Sequence, residues 1–146
     1  MRTIAVAATL LVVGFAAPGV ARAQSCTVEP QDLSLGDYDP FAAAPQDSVG
    51  NVSVRCDVAT SFGVALGPGT GSFAARRMAG GNQMLLYNLF LDSSRTMVWG
   101  DGSNGTGVLS RTSVGGDFPV YARAAAGQAT LRPGPYADVI SVIVTY

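Results

Sequence analysis

The chain of 146 residues has no histidine, and all 9 of its basic residues are arginine, so lysine is absent as well. Without histidine there is no Ser-His-Asp triad, no Cys-His pair and no imidazole metal ligand. Without lysine there is no Schiff base and no phosphate-loop lysine. Charged residues make up 13% of the chain, about half of what an average soluble domain carries. A formal net charge of −1 gives no electrostatic footprint for nucleic acid. Glu29 is the lone glutamate among scattered aspartates, and no acid/base pair for a carboxylate glycosidase stands out. The composition therefore favours a structural or binding role without catalysis, and no cofactor is expected.

What is present falls into two unequal parts. Met1-Arg2 opens the chain, an apolar run follows from Ile4 to Ala17, and Pro18-Gly19 breaks it. The run is too short to span a bilayer, and Ala21-Arg22-Ala23 fits an A-x-A cleavage site. Residues 1–23 are thus expected to be a secretory signal peptide, with a single domain over residues 24–146. Two cysteines in an exported chain point to one disulfide, Cys26 to Cys56.

Beyond the leader the chain reads as strands and turns. Val52, Val54 and Cys56 alternate with Ser53, Arg55 and Asp57, a period of two. Phe62, Val64 and Leu66 alternate next, and Gly67-Pro68-Gly69 ends the run. Gln83 to Asp92 is a further strand, with Leu85, Tyr87, Leu89 and Leu91 on one face. Val98-Trp99, Phe118 to Arg123 and Ala137 to Tyr146 complete the set. No window carries a helical period, and the short strands with turns between them imply an all-β sandwich. The last strand is unusual. Ile140, Val142, Val144 and Tyr146 form an apolar face in a stretch without charge, proline or glycine. On a sheet edge such a segment invites aggregation, so it is either central or covered by another chain.

Several phrases in order now carry a resemblance. They are the early cysteine with Leu35-Gly36-Asp37-Tyr38-Asp39, the strand Val52-Ser53-Val54-Arg55-Cys56, and Arg77-Met78 before Leu86-Tyr87-Asn88-Leu89-Phe90-Leu91-Asp92. Trp99-Gly100-Asp101-Gly102, Pro119-Val120-Tyr121-Ala122-Arg123, Gly127-Gln128 and Tyr136-Ala137-Asp138 follow. The set resembles the spore coat protein U domain family, whose members include subunits of archaic chaperone–usher pili. The resemblance implies an immunoglobulin-like β-sandwich that lacks its final strand. A periplasmic chaperone, and later a neighbouring pilus subunit delivered through an outer-membrane usher, would lend the missing strand by β-strand addition. It places Ile140, Val142, Val144 and Tyr146 in the donor-strand groove. The C-terminal carboxylate is expected to be a handle for basic residues of the chaperone.

The start of the chain departs from that pattern. Such pilins carry a donor segment ahead of the first cysteine, whereas cleavage after Ala23 leaves Gln24 and Ser25. The expectation is a subunit of an exported surface fibre that accepts a strand and donates none, as at a fibre tip, in support of adhesion or biofilm formation. The alternatives are a non-pilus, spore-coat-like structural protein that does not polymerise by donor strands, or a tip adhesin that binds a glycan or an abiotic surface. Trp99 beside a glycine-rich loop would stack on a sugar in the last case, and is a core tryptophan otherwise.

The remaining polar motifs have plain readings. Asp37 and Asp39 fit a solvated turn before Pro40. Asp101 to Gly105 superficially resembles a calcium loop. It has Thr106 and Thr112 where an EF-hand needs glycine and glutamate, so a tight turn is expected and no metal. Tyr136 is expected to act as a corner tyrosine bonded to the backbone.

Overall fold

The alternating valines and phenylalanines do not form two strands but one long one. The computed structural model describes residues 23–146, so residues 1–22 of the expected leader lie outside the described residues. Six strands run in chain order: β1 (Cys26–Pro30), β2 (Gln46–Leu66), β3 (Arg76–Gly80), β4 (Gln83–Phe90), β5 (Leu109–Ala124) and β6 (Val142–Thr145). Among the described residues there is no helix. The expected strands Val52–Cys56 and Phe62–Leu66 are both parts of β2, and Phe118–Arg123 is the end of β5. Val98 and Trp99 make only isolated bridges, to Phe90 and Gly107.

β2 and β5 are the frame. They pair antiparallel from Gln46↔Ala124 to Arg55↔Gly115, and again from Thr60↔Ser113 to Val64↔Leu109. Between Arg55 and Thr60, β2 takes five steps where β5 takes two, from Gly115 to Ser113. Extra residues on one strand bend and twist a ladder, and here the two halves of the pair fold over one another. Phe62 from the second half meets Phe118 from the first edge-on, with centroids 6.0 Å apart. The bend needs a glycine at position 115. Its φ is +118°, and a Cβ there would strike the Val54 carbonyl oxygen.

All six strands belong to one sheet, ordered β1-β2-β5-β4-β3 with β6 on β2, and its curl through the folded pair makes a half-barrel of two layers. In the first, β1 and β4 flank β2 and β5, and β3 pairs with β4. In the second, β6 pairs with residues Gly63–Leu66 of β2. β1 and β6 therefore share one edge of β2, the edge that β5 leaves free. Cys26 lies opposite Cys56 in the β1–β2 register, and the two are joined as a disulfide with a Cα–Cα distance of 4.1 Å.

The period-two pattern decides which side chains face inward. Val52, Val54, Phe62, Val64 and Leu66 of β2, and Leu85, Tyr87 and Leu89 of β4, are buried together. Each such aliphatic or aromatic side chain contributes about 1.5–3 kcal/mol on full burial. Trp99 is 0% exposed, and its indole N–H donates to the Val64 carbonyl at 2.9 Å. It is a core residue and presents no face for a sugar.

One buried side chain breaks the apolar rule. Arg76, at the start of β3, is 0% exposed and, among the described residues, has no carboxylate in ion-pair range. Its guanidinium donates to the carbonyls of Gly67 (3.0 and 2.8 Å) and Trp99 (2.7 Å) and to Asn88 Oδ1 (2.6 Å). Burial pulls its pKa below the usual arginine range. The bonds tie the end of β2, the Trp99 turn and β4 to a single group.

Candidate functional site

Between the two layers lies an open groove of about 280 Å³. Its floor is apolar: Val52 and Val120 from the β2–β5 pair, Tyr87 and Leu89 from β4, Met78 from β3, and Leu66. One wall is Pro30–Leu33, the last residue of β1 and the stretch after it, and the other runs from Asp138 to Val142, the first residue of β6. The second wall has unspent backbone. β6 pairs with β2 on one side only, and among the described residues Val139 and Ile140 make no backbone–backbone hydrogen bond. Val139 is 88% exposed.

The C-terminal segment is shorter as a strand than its apolar alternation implies. Ala137 forms an isolated bridge with Ala79 of β3, and the ladder with β2 begins only at Val142. The chain must cross from the edge of the first layer to the second over these residues, so it leaves one ladder before it joins the next. Of the four residues expected in the groove, Ile140 and Val142 line it. Val144 is partly buried against the core, and Tyr146 is 55% exposed.

Asp138 holds the crossing in place. Its Oδ1 accepts from the Thr70 amide (3.1 Å), the Thr70 hydroxyl (2.8 Å) and the Val139 amide (2.9 Å). Its Oδ2 accepts the Tyr87 hydroxyl at 2.8 Å. Burial, together with this bond, pushes the Tyr87 phenol well above its ordinary value, so it donates at every physiological pH. The latch joins the loop after β2, the floor of the groove and its C-terminal wall.

The other residues marked by the sequence are structural. The Tyr136 hydroxyl donates to the Arg132 carbonyl at 2.7 Å, and its ring meets Tyr38 edge-on at 6.3 Å. That is the corner role expected of it. Asp101 accepts from the Ser103 amide (2.9 Å) and hydroxyl (2.6 Å), which closes its own turn and holds its carboxyl below the usual range. Asp39 accepts from the Phe41 amide at 2.9 Å in the turn around Pro40. Sequence reading missed Met78, the Pro30–Leu33 wall and the Asp138 latch. Only Asp138 left a signal, as the last acid before an uncharged strand.

An all-β, immunoglobulin-like half-barrel with an apolar groove left open between its layers is thus the class that the fold and the site define. The profile of the Spore Coat Protein U domain matches residues 11–143, and the chain belongs to that family. A curated relative, Protein U of Myxococcus xanthus, is 33% identical over 130 residues, covering 78% of this chain and 71% of the relative. Among solved structures, the chain is similar to the chaperone–tip adhesion subunit pre-assembly complex CsuC–CsuE from the archaic chaperone-usher Csu pili of Acinetobacter baumannii. The TM-score is 0.60 at 21% identity, with 85% of this chain covered. The chain spans 40% of that neighbour's length, and the likeness is one of fold.

Proposed function

We propose that the protein is a non-catalytic subunit of an exported chaperone–usher surface fibre, and that its groove accepts a β-strand from a periplasmic chaperone and then from a neighbouring subunit. The observation that carries this reading is the open apolar groove beside β6, a strand with one edge unpaired among the described residues. An extended segment laid there meets both requirements of strand addition. The Val139 carbonyl and the Ile140 backbone, free of hydrogen bonds among the described residues, supply hydrogen bonds, and the floor takes every second side chain. Ile140 and Val142 are the groove residues of this proposal, while Val144 and Tyr146 lie beyond its lining. The fold shared with a complex of chaperone and tip adhesion subunit supports the same partners.

Cleavage after Ala23 would leave Gln24 and Ser25 ahead of Cys26, too little for a donor strand, and this supports a place at the distal end of the fibre. N-terminal sequencing of the exported protein tests it, because a start well upstream of Gln24 removes that support. Adhesion or biofilm formation would follow from such a place. A second reading is a non-pilus, spore-coat-like structural protein, and the family's description as a Spore Coat Protein U domain supports it.

The deciding experiment is export of the full chain with and without a co-expressed chaperone of the archaic chaperone–usher type, with soluble yield and unfolding midpoint as readouts. Folding that depends on the chaperone supports the strand-accepting subunit. A chain that folds alone, with an unchanged midpoint, refutes it and leaves the coat protein.

A further inference from the structure

Among the described residues the groove is lined by acids and by no base. Its ionisable side chains are Asp32, Asp138 and Tyr87. The ion pairs among the described residues belong to Asp47 and Asp117, so neither groove carboxylate is ion-paired within the described residues. Asp138 is nonetheless well satisfied by the four bonds of its latch. The Arg76 charge also acts on it from the buried side, although the Arg76 N–H groups are spent on Gly67, Trp99 and Asn88. Asp32 has no such provision. It sits exposed on the Pro30–Leu33 wall, between Gln31 and Leu33, at the rim of an apolar trough.

We propose that the groove selects an extended strand in which the alternating apolar residues are flanked by a basic one, arginine or lysine, seated against Asp32. The inference rests on the strand-accepting reading and adds the chemistry of the occupant. A charge at the edge of an apolar trough is less screened than one on open surface. A strand bearing a carboxylate at that place meets repulsion, and one bearing a cation gains an ion pair. Charge complementarity of this kind chooses between partners of similar apolar content more than it sets their absolute affinity.

The test uses the full chain purified in complex with a periplasmic chaperone, and two labelled peptides of about nine residues, the length of a long strand, added to displace it. Both alternate valine with threonine, and one carries terminal arginines where the other carries glutamates. Binding is followed by anisotropy. At about 50 mM salt the arginine peptide is expected to bind about two- to fivefold more tightly, the range of one partly exposed ion pair. At about 1 M salt, where the Debye length is roughly 3 Å, the ratio falls toward one. Asp32→Asn removes the preference and Asp32→Lys reverses it. Asp32 is exposed, so both variants keep the wild-type unfolding midpoint. Equal binding of the two peptides, or tighter binding of the glutamate peptide, overturns the basic preference and leaves strand acceptance standing. Failure of both peptides to bind overturns the preference and strand acceptance together.

Discussion

The Arg76 guanidinium donates to the Trp99 carbonyl at 2.7 Å, and the Trp99 indole in turn donates to the Val64 carbonyl at 2.9 Å. The two largest fully buried side chains are thus linked through the backbone between them, and each satisfies a carbonyl that water cannot reach.

Replacing Arg76 with methionine fills much of the same space but strands the carbonyls of Gly67 and Trp99. Hydrogen bonds to a charged group contribute about 1.5–3 kcal/mol each, and their losses overlap. The expected cost is about 3 kcal/mol in urea unfolding, read from the single tryptophan. Arg76→Lys is expected to recover little, because one ammonium cannot reproduce the planar fork. A cost under about 1 kcal/mol would show that the knot is dispensable.

Asp138→Asn keeps the shape of the latch and spoils its polarity, since an amide NH2 cannot accept from Tyr87 or Thr70. The expected loss is about 1–3 kcal/mol. The more telling readout is hydrogen exchange at Val139 to Val142, which should quicken while exchange in β4 and β5 stays slow. Tyr87→Phe should produce the same local effect at smaller size. Uniform quickening across the sheet would mean that Asp138 supports the whole fold and not the groove wall.

Asp47 gives the protein an acid-sensitive joint. Arg123 Nε and Nη2 each bond to its carboxylate at 2.7 Å, and Arg95 lies 3.4 Å away. The hydrogen bond from Arg123 is the main cause that holds the Asp47 carboxyl below its ordinary range. A group with a lowered folded pKa contributes stability that is present above its unfolded value, near 3.9, and is lost as pH falls through the folded value. The thermal midpoint should therefore drop as the pH falls below about 4. Asp47→Asn should flatten that part of the profile, and an unchanged profile would remove the joint.

Breaking the Cys26–Cys56 bond frees a loop with a sequence separation of 30. The chain-entropy relation gives a loss of about 3.5 kcal/mol, measured as the difference in unfolding free energy between the oxidised protein and the Cys26→Ser/Cys56→Ser double variant. The same change should loosen Pro30 to Leu33, because β1 carries that wall.

Period-two patterning was enough to find the inward faces of β2 and β4, since Val52, Val54, Leu85, Tyr87 and Leu89 obey it strictly. It was not enough for β3, whose inward residues are Met78 and an arginine. An arginine inside a core is invisible to hydropathy. The first half of β5 was missed for a related reason. Ser110 to Gly116 is polar and glycine-rich, and it is a strand because β2 pairs with it. The groove was legible as a warning at Ile140 and Val142. Its other wall and floor come from residues far off in the chain, which only the folded β2–β5 pair brings together.

That pair has a consequence in time. β2 and β5 form the spine of both layers, yet residues 67–108 separate them, so this pair cannot start from a local hairpin as β3 and β4 can. Loop closure on this scale precedes any reward from pairing, and folds dominated by such contacts assemble in milliseconds to seconds. Throughout that delay the apolar faces of β2 and the C-terminal segment are bare. Success is then a race between closure of the long loop and encounter with another unfinished chain. A partner that covers the C-terminal segment early changes the outcome of that race before it changes the stability of the finished fold.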